Sequence, residues 1–160
     1  MLNFCGSDIS VWDAAAKNGL SGVNVRQRPG YAQIGFVETQ TVAQGFYTNS
    51  VGSLLTPAFG ASGTLRVSFD AMAYKNTSVH ANSGAKDMGG DLKSVIVEVI
   101  GGGTIDGATT KVVSGLATDA FNTYSLTIDG ATASTALRFT SEPASGEFSR
   151  WFIDDICVTK

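Results

Sequence analysis

The sequence predicts an all-β fold in which two antiparallel sheets pack face to face, preceded by one short helical segment near the N-terminus. Three observations predict it. Apolar residues alternate with polar ones in short runs, clearest in GTLRVSFDAMAY from Gly63 to Tyr74. Turn-forming Gly, Ser, Asn and Asp separate these runs, and no sustained 3.6-residue pattern follows the first segment. One sheet alone would leave its apolar face in water, so the alternation calls for a second.

The elements follow in order. In SVWDAAAKNG, Ser10 and Asp13 have the spacing of a capping box, Ala14 to Ala16 favour a helix, and Asn18-Gly19 ends it after one or two turns. From Val23 the texture becomes β, with VNVRQR and GYAQIGFVE as short runs bounded by Gly and Pro. In GTLRVSFDAMAY, Leu65, Val67, Phe69, Ala71 and Ala73 face a core, while Arg66, Ser68, Asp70, Met72 and Tyr74 face away. Residues 76–91 are polar and glycine-bearing, a surface connection. In SVIVEVI, Val95, Val97 and Val99 share one face and Ile96 and Glu98 the other, the density of an interior strand. Gly101 to Gly103 and TIDGATT then form a turn region. FNTYSLTIDG places Tyr124, Leu126 and Ile128 on one face, STALRFTS turns Leu137 and Phe139 inward and Arg138 outward, and RWFIDDICV is the final strand. The expected core is Leu65, Val67, Phe69, Val95, Val97, Leu126, Ile128, Leu137 and Phe139.

A chain of 160 residues suits a single domain spanning 1–160, which buries roughly 70% of its unfolded surface without help from a metal or disulfide. Eleven basic against fourteen acidic residues, with no basic block, argue against nucleic acid and anionic membranes as partners. No apolar run reaches the roughly 18 residues that cross a bilayer, and the N-terminus lacks a basic segment followed by an apolar core. Few charges and many small polar residues suit an extracellular or cell-surface protein. Cys5 and Cys157 lie near opposite ends, which often meet in compact domains. A disulfide and a pair of reduced hydrophobic thiols both remain open, and the reading leans to the thiols.

Chemistry-bearing motifs are sparse. His80 is the single histidine and lacks the companions of a zinc site or triad, so it reads as a surface-loop residue. Gly101 to Gly103 lack the strand-to-helix context of a phosphate loop. Asn76 in NTS is a glycosylation acceptor pattern, which places it on a surface. Strict alternation sends Asp154 and Asp155 to opposite faces, so they do not form a catalytic pair about one bond. It also splits the apolar residues, putting Trp151 and Ile153 with Asp155, and Phe152, Ile156 and Val158 with Asp154. A β-bulge at the pair reconciles both sets.

The strand texture of GYAQIG, GTLRVSFDAMAY, VIVEVIGGGT, FNTYSLTIDGATASTALRFTS and RWFIDDICV resembles the small galactose-binding-like jelly-roll domains of exported Bacteroidetes proteins. The resemblance extends over most of the chain after Gly30. It implies a jelly-roll-like β-sandwich serving as a carbohydrate-binding or accessory module, not an enzyme. It also implies a structural calcium ion where early and final strands meet, with Asp154, Asp155 and Asp8 as ligands and Asp13 as a further contributor. Calcium needs six to eight oxygens, so backbone and amide groups would complete the set. For a glycan, Tyr74 is the aromatic opposite the core face, with Arg66, Asp70 and Asn76 as polar neighbours. Trp12, Tyr47 and Trp151 are alternative aromatics, and at least one tryptophan reads as a seal for a sheet. The competing expectation is a structural or protein-interaction domain that meets a surface or secreted protein without binding glycan.

Overall fold

In a computed structural model of the chain, residues 4–6, 19–28, 30–40, 46–74, 93–142 and 150–160 are described. Among them the chain forms strands and no helix. The helical turn expected from Ser10 to Asn18 lies outside the described residues.

One sheet runs in the order β11 (Asn122–Ala131), β8 (Gly63–Ala73), β13 (Trp151–Thr159), β4 (Tyr31–Ile34) and β3 (Val25–Arg28), with β1 (Phe4–Gly6) added on β13. The second runs β10 (Thr110–Ser114), β9 (Ser94–Ile100), β12 (Ala136–Ser141), β7 (Ser53–Leu55) and β2 (Ser21–Val23). A separate hairpin of β5 (Phe36–Gln40) and β6 (Phe46–Ser50) lies between β4 and β7 in the chain. Every pairing is antiparallel.

The alternation read from the sequence is what packs the two sheets. Leu65, Val67, Phe69, Ala71 and Ala73 of β8 are all buried, as are Val95, Val97 and Val99 of β9 and Leu137 and Phe139 of β12. Ile128 is buried, and Leu126 and Tyr124 are partly buried against the same core. Phe69 meets Phe139 across the layers edge to face, ring centroids 5.0 Å apart, a geometry worth about 0.5–1.5 kcal/mol beyond area burial. Trp151 is fully buried and its Nε1–H donates to Ser141 Oγ at 3.1 Å, tying β13 to β12 through the core. Gly52 marks a close backbone approach. A Cβ there would lie 2.2 Å from Gly35 N and 2.9 Å from Asn24 O, and the adjoining ladder is closed by Gly35 N–H to Asn24 O at 2.9 Å.

The final strand carries the predicted bulge. Its register with β8 shifts between Asp154 and Cys157, and Asp155 sits at φ 48°. The extra residue resets the alternation, so Trp151 and Ile153 before it and Ile156 and Val158 after it all join the core. Phe152 is buried on the opposite, outer face. With β8 along one edge of β13, β4 and β1 divide the other: β4 pairs with Trp151 to Ile153, and β1 with Ile156 to Val158.

That second pairing corrects the leaning toward reduced thiols. Cys5 and Cys157 are direct register partners, Cys157 is disulfide-bonded, and the chain has no third cysteine. Directly opposed residues of an antiparallel pair have Cα atoms about 4.5–5.5 Å apart, within disulfide reach. Composition alone carried no information on this register.

Candidate functional site

Two outer faces remain once the core is filled, and they differ in chemistry. On the β8 sheet, Tyr31, Phe152, Tyr74 and Phe121 cluster at one end. Tyr31 contacts Phe152 and Phe121 at ring centroid distances of 5.1 and 5.4 Å, and Phe152 contacts Tyr74 at 5.6 Å. The Arg150 guanidinium lies 3.8 Å from the centre of the Tyr74 ring. Beside them Gln33 is buried, receives Arg28 Nε–H and Nη2–H on its Oε1 at 2.9 and 2.6 Å, and donates to Gly35 O at 3.0 Å. Each of these rings thus has another ring or a guanidinium as a neighbour.

Of the residues singled out for glycan and metal binding, Arg66, Asp70, Tyr74, Asp154 and Asp155 are described and belong to this same sheet or follow directly on it. Arg66 and Asp70 point outward from β8, and Tyr74 follows directly after it. Arg66 and Tyr74 are eight residues apart, about 27 Å along an extended strand, so one sugar ring does not touch both. Asp70 accepts a 2.6 Å bond from Thr123 Oγ1. It is also the direct register partner of Asp154 on β13, so two of the chosen carboxylates are brought side by side. Asp155 is exposed on the bulge. Asn76, Asp8, Asp13, His80 and Trp12 lie outside the described residues. Among the described residues no group of three or more His, Cys, Asp or Glu side chains gathers to hold a metal.

The outer face of the β9 sheet is an open groove of about 830 Å³ that reaches from β2 across to β10. Register explains its composition, because outward residues of all five strands align in two rows. The first row is Val112, Ile96, Thr140, Ser53 and Val23. The second is Thr110, Glu98, Arg138, Leu55 and Ser21. Five strands at about 4.8 Å spacing make each row roughly 19 Å wide.

At the centre, Arg138 Nη1–H donates to Glu98 Oε2 at 2.9 Å, with side chains 45% and 38% exposed. An exposed pair of this kind contributes about 0–1 kcal/mol to stability, so the fold does not depend on it. The outer valines, Val23 and Val112, stand well exposed at the two sheet edges. One step beyond the first row, Ser94 Oγ bonds the Glu142 carboxylate. Among the described residues no aromatic side chain lines this groove. It offers instead hydroxyls, aliphatic patches and one ion pair.

Sequence reasoning had Glu98 and Arg138 both facing outward but did not join them. The missing step was the pairing of β9 with β12, whose residues are 40 positions apart at this contact.

No protein-family model and no curated protein matches the chain. Solved structures do. It is similar to the C-terminal CBM6 of LamC, a marine laminarinase from Zobellia galactanivorans, at 15% identity and TM-score 0.48, covering 88% of this chain and 91% of that one. It is also similar to TmCBM61, solved with beta-1,4-galactotriose, at 13% identity and TM-score 0.46, covering 90% and 83%. A family 29 carbohydrate-binding module complexed with mannohexaose matches at 16% identity and TM-score 0.42, covering 88% and 80%. At these scores and identities the likenesses assign neither a ligand nor a site to this chain.

Proposed function

We propose that the chain is a non-enzymatic carbohydrate-binding or accessory module of an exported bacterial protein, a jelly-roll-like sandwich that uses the outer face of its β9 sheet. The observation that carries the reading is the groove itself: an open five-strand concavity lined by hydroxyls, aliphatic patches and a half-exposed Arg138–Glu98 pair. Sugars present hydroxyls at ring edges and C–H groups on ring faces, and this lining matches both kinds of surface.

Two further observations support the proposal. A disulfide joining strands near the two ends of the chain suits an oxidising compartment, as export provides. Glu98, the one carboxylate among the described lining residues, and Glu142 past the end of the groove are poorly placed for glycoside hydrolysis. Glu98 and the position of Glu142 are offset by four residues on neighbouring strands, about 14 Å apart at the backbone, whereas hydrolases hold their pair within roughly 5–9.5 Å.

The test is a glycan microarray probed with the labelled protein, alongside Thr140→Trp, which fills the middle of the groove from an outward position. Binding to a defined glycan set that Thr140→Trp removes, with an unchanged urea midpoint, is the expected result. No binding across the array sinks the reading. A protein-interaction role is the alternative. Its supporting observation is the pair of exposed edge valines, Val23 at 63% and Val112 at 49%, which suit an apolar contact with a surface or secreted protein.

A further inference from the structure

Charge accounting within the groove narrows the ligand. Among the described residues lining it, Arg138 is the one cation and Glu98 its immediate partner. Lys111, on the adjacent edge strand, is committed to Asp106 at 2.6 Å and does not line the groove. Glu142, held by Ser94, is likewise outside the lining, four residues and about 14 Å along the backbone from Arg138. Within the described lining Arg138 is thus matched one to one. A chain carrying uronate or sulfate groups would meet one cation already matched by an acid, with no net attraction to offset desolvation of its own charges.

The same pair is well suited to a neutral sugar. Its single bond uses Nη1 and Oε2. Among the described residues no other hydrogen bond takes Nη2 of Arg138 or Oε1 of Glu98, so a donor and an acceptor remain on two paired residues that line the groove. Two adjacent sugar hydroxyls can accept from the Arg138 nitrogen and donate to the Glu98 oxygen at the same time. Leu55 is Arg138's neighbour in its row, and Ile96 lies two residues before Glu98 on β9. Both place aliphatic carbon next to the polar pair, where the C–H face of the same ring would rest.

We infer that this groove selects neutral glycan chains, with Arg138 and Glu98 together gripping adjacent hydroxyls of one sugar and their mutual pairing leaving no net charge to draw anionic chains. The inference rests on the glycan reading above and adds the ligand class.

The experiment is affinity electrophoresis and calorimetry on the wild-type protein, Arg138→Met and Glu98→Gln. The ligands are neutral polysaccharides (laminarin, galactomannan, arabinoxylan) and anionic ones (alginate, polygalacturonate), at low and moderate salt. The expected result is binding to at least one neutral polymer with little salt dependence and none to the anionic polymers. Each substitution should weaken neutral binding about tenfold or more. Glu98→Gln should also let anionic polymers bind, because it leaves Arg138 unmatched in the lining. Wild-type binding to anionic polymers as tight as to neutral ones would overturn the inference, as would neutral binding indifferent to both substitutions. Binding to neither class would instead remove the glycan reading beneath it. The urea midpoint of each variant verifies folding, which an exposed pair leaves nearly unchanged.

Discussion

Asp155 holds its backbone at φ 48°, the left-handed region in which most side chains crowd their own carbonyl. Aspartate tolerates it better than branched residues, and glycine tolerates it freely. Asp155→Gly should therefore leave the urea midpoint nearly unchanged, and Asp155→Val should lower stability by about 1–2 kcal/mol. Equal losses in both would mean that the carboxylate, not the backbone, matters there. The sequence showed that something unusual was needed at this residue, because alternation could not place Trp151 and Ile156 on one face without an extra position. It did not show which residue would take the positive φ. Trp151 was legible as a seal in the same limited sense: its apolar bulk predicts burial, but its donor to Ser141 depends on a meeting of two strands from different sheets.

At the scale of the element, β13 works as two half-strands joined by one added residue. Its first half serves β4 and its second half serves β1, while β8 runs along the whole of the other edge. Deleting Asp155 would restore simple alternation and turn Ile156 and Val158, now buried, away from the core. Losing each of these burials costs about 1.5–3 kcal/mol, so the deletion should fold poorly and melt without a cooperative transition. A cooperative melt within a few degrees of wild type would show that the register had slipped back at little cost. Interior faces of β8, β9, β11 and β12 were legible residue by residue, since period-2 patterning is a local property. Neighbour order was not. β9 pairs with β12 and β8 with β13 because crossing between sheets separates partners in sequence, and no local signal records that.

The groove belongs to the whole molecule. Its rows draw on residues from Ser21 to Thr140, so none of its composition could be read from any one segment. The aromatic and carboxylates chosen from the sequence came instead from strong local texture, and those that are described, Tyr74, Asp70, Asp154 and Asp155, belong to the other sheet or follow directly on it. The disulfide acts at this scale too, because it closes a loop of nearly the entire chain. Long loops restrict the unfolded ensemble most, with typical effects of about 2–5 kcal/mol. Cys157→Ser should lower stability by that amount without changing glycan binding, measured by urea melts and calorimetry. Unchanged stability would indicate that β1 is held by its ladder alone.

The position of that bridge has a mechanical consequence. Phe4 and Val158 are opposed at the same end of the β1–β13 ladder, so tension drawing the backbone apart at these two points would load the ladder in unzipping geometry, one rung after another. Cys5 and Cys157 form the next rung. Oxidised, the sulfur link carries the force from one flank to the other and the sandwich between them feels almost none of it. Reduced, the same pull would peel β1 away and then draw on β13, the strand on which β8 and β4 are assembled. Pulled at these two points, the oxidised domain would therefore carry the force through the sulfur link, and the groove would keep its shape.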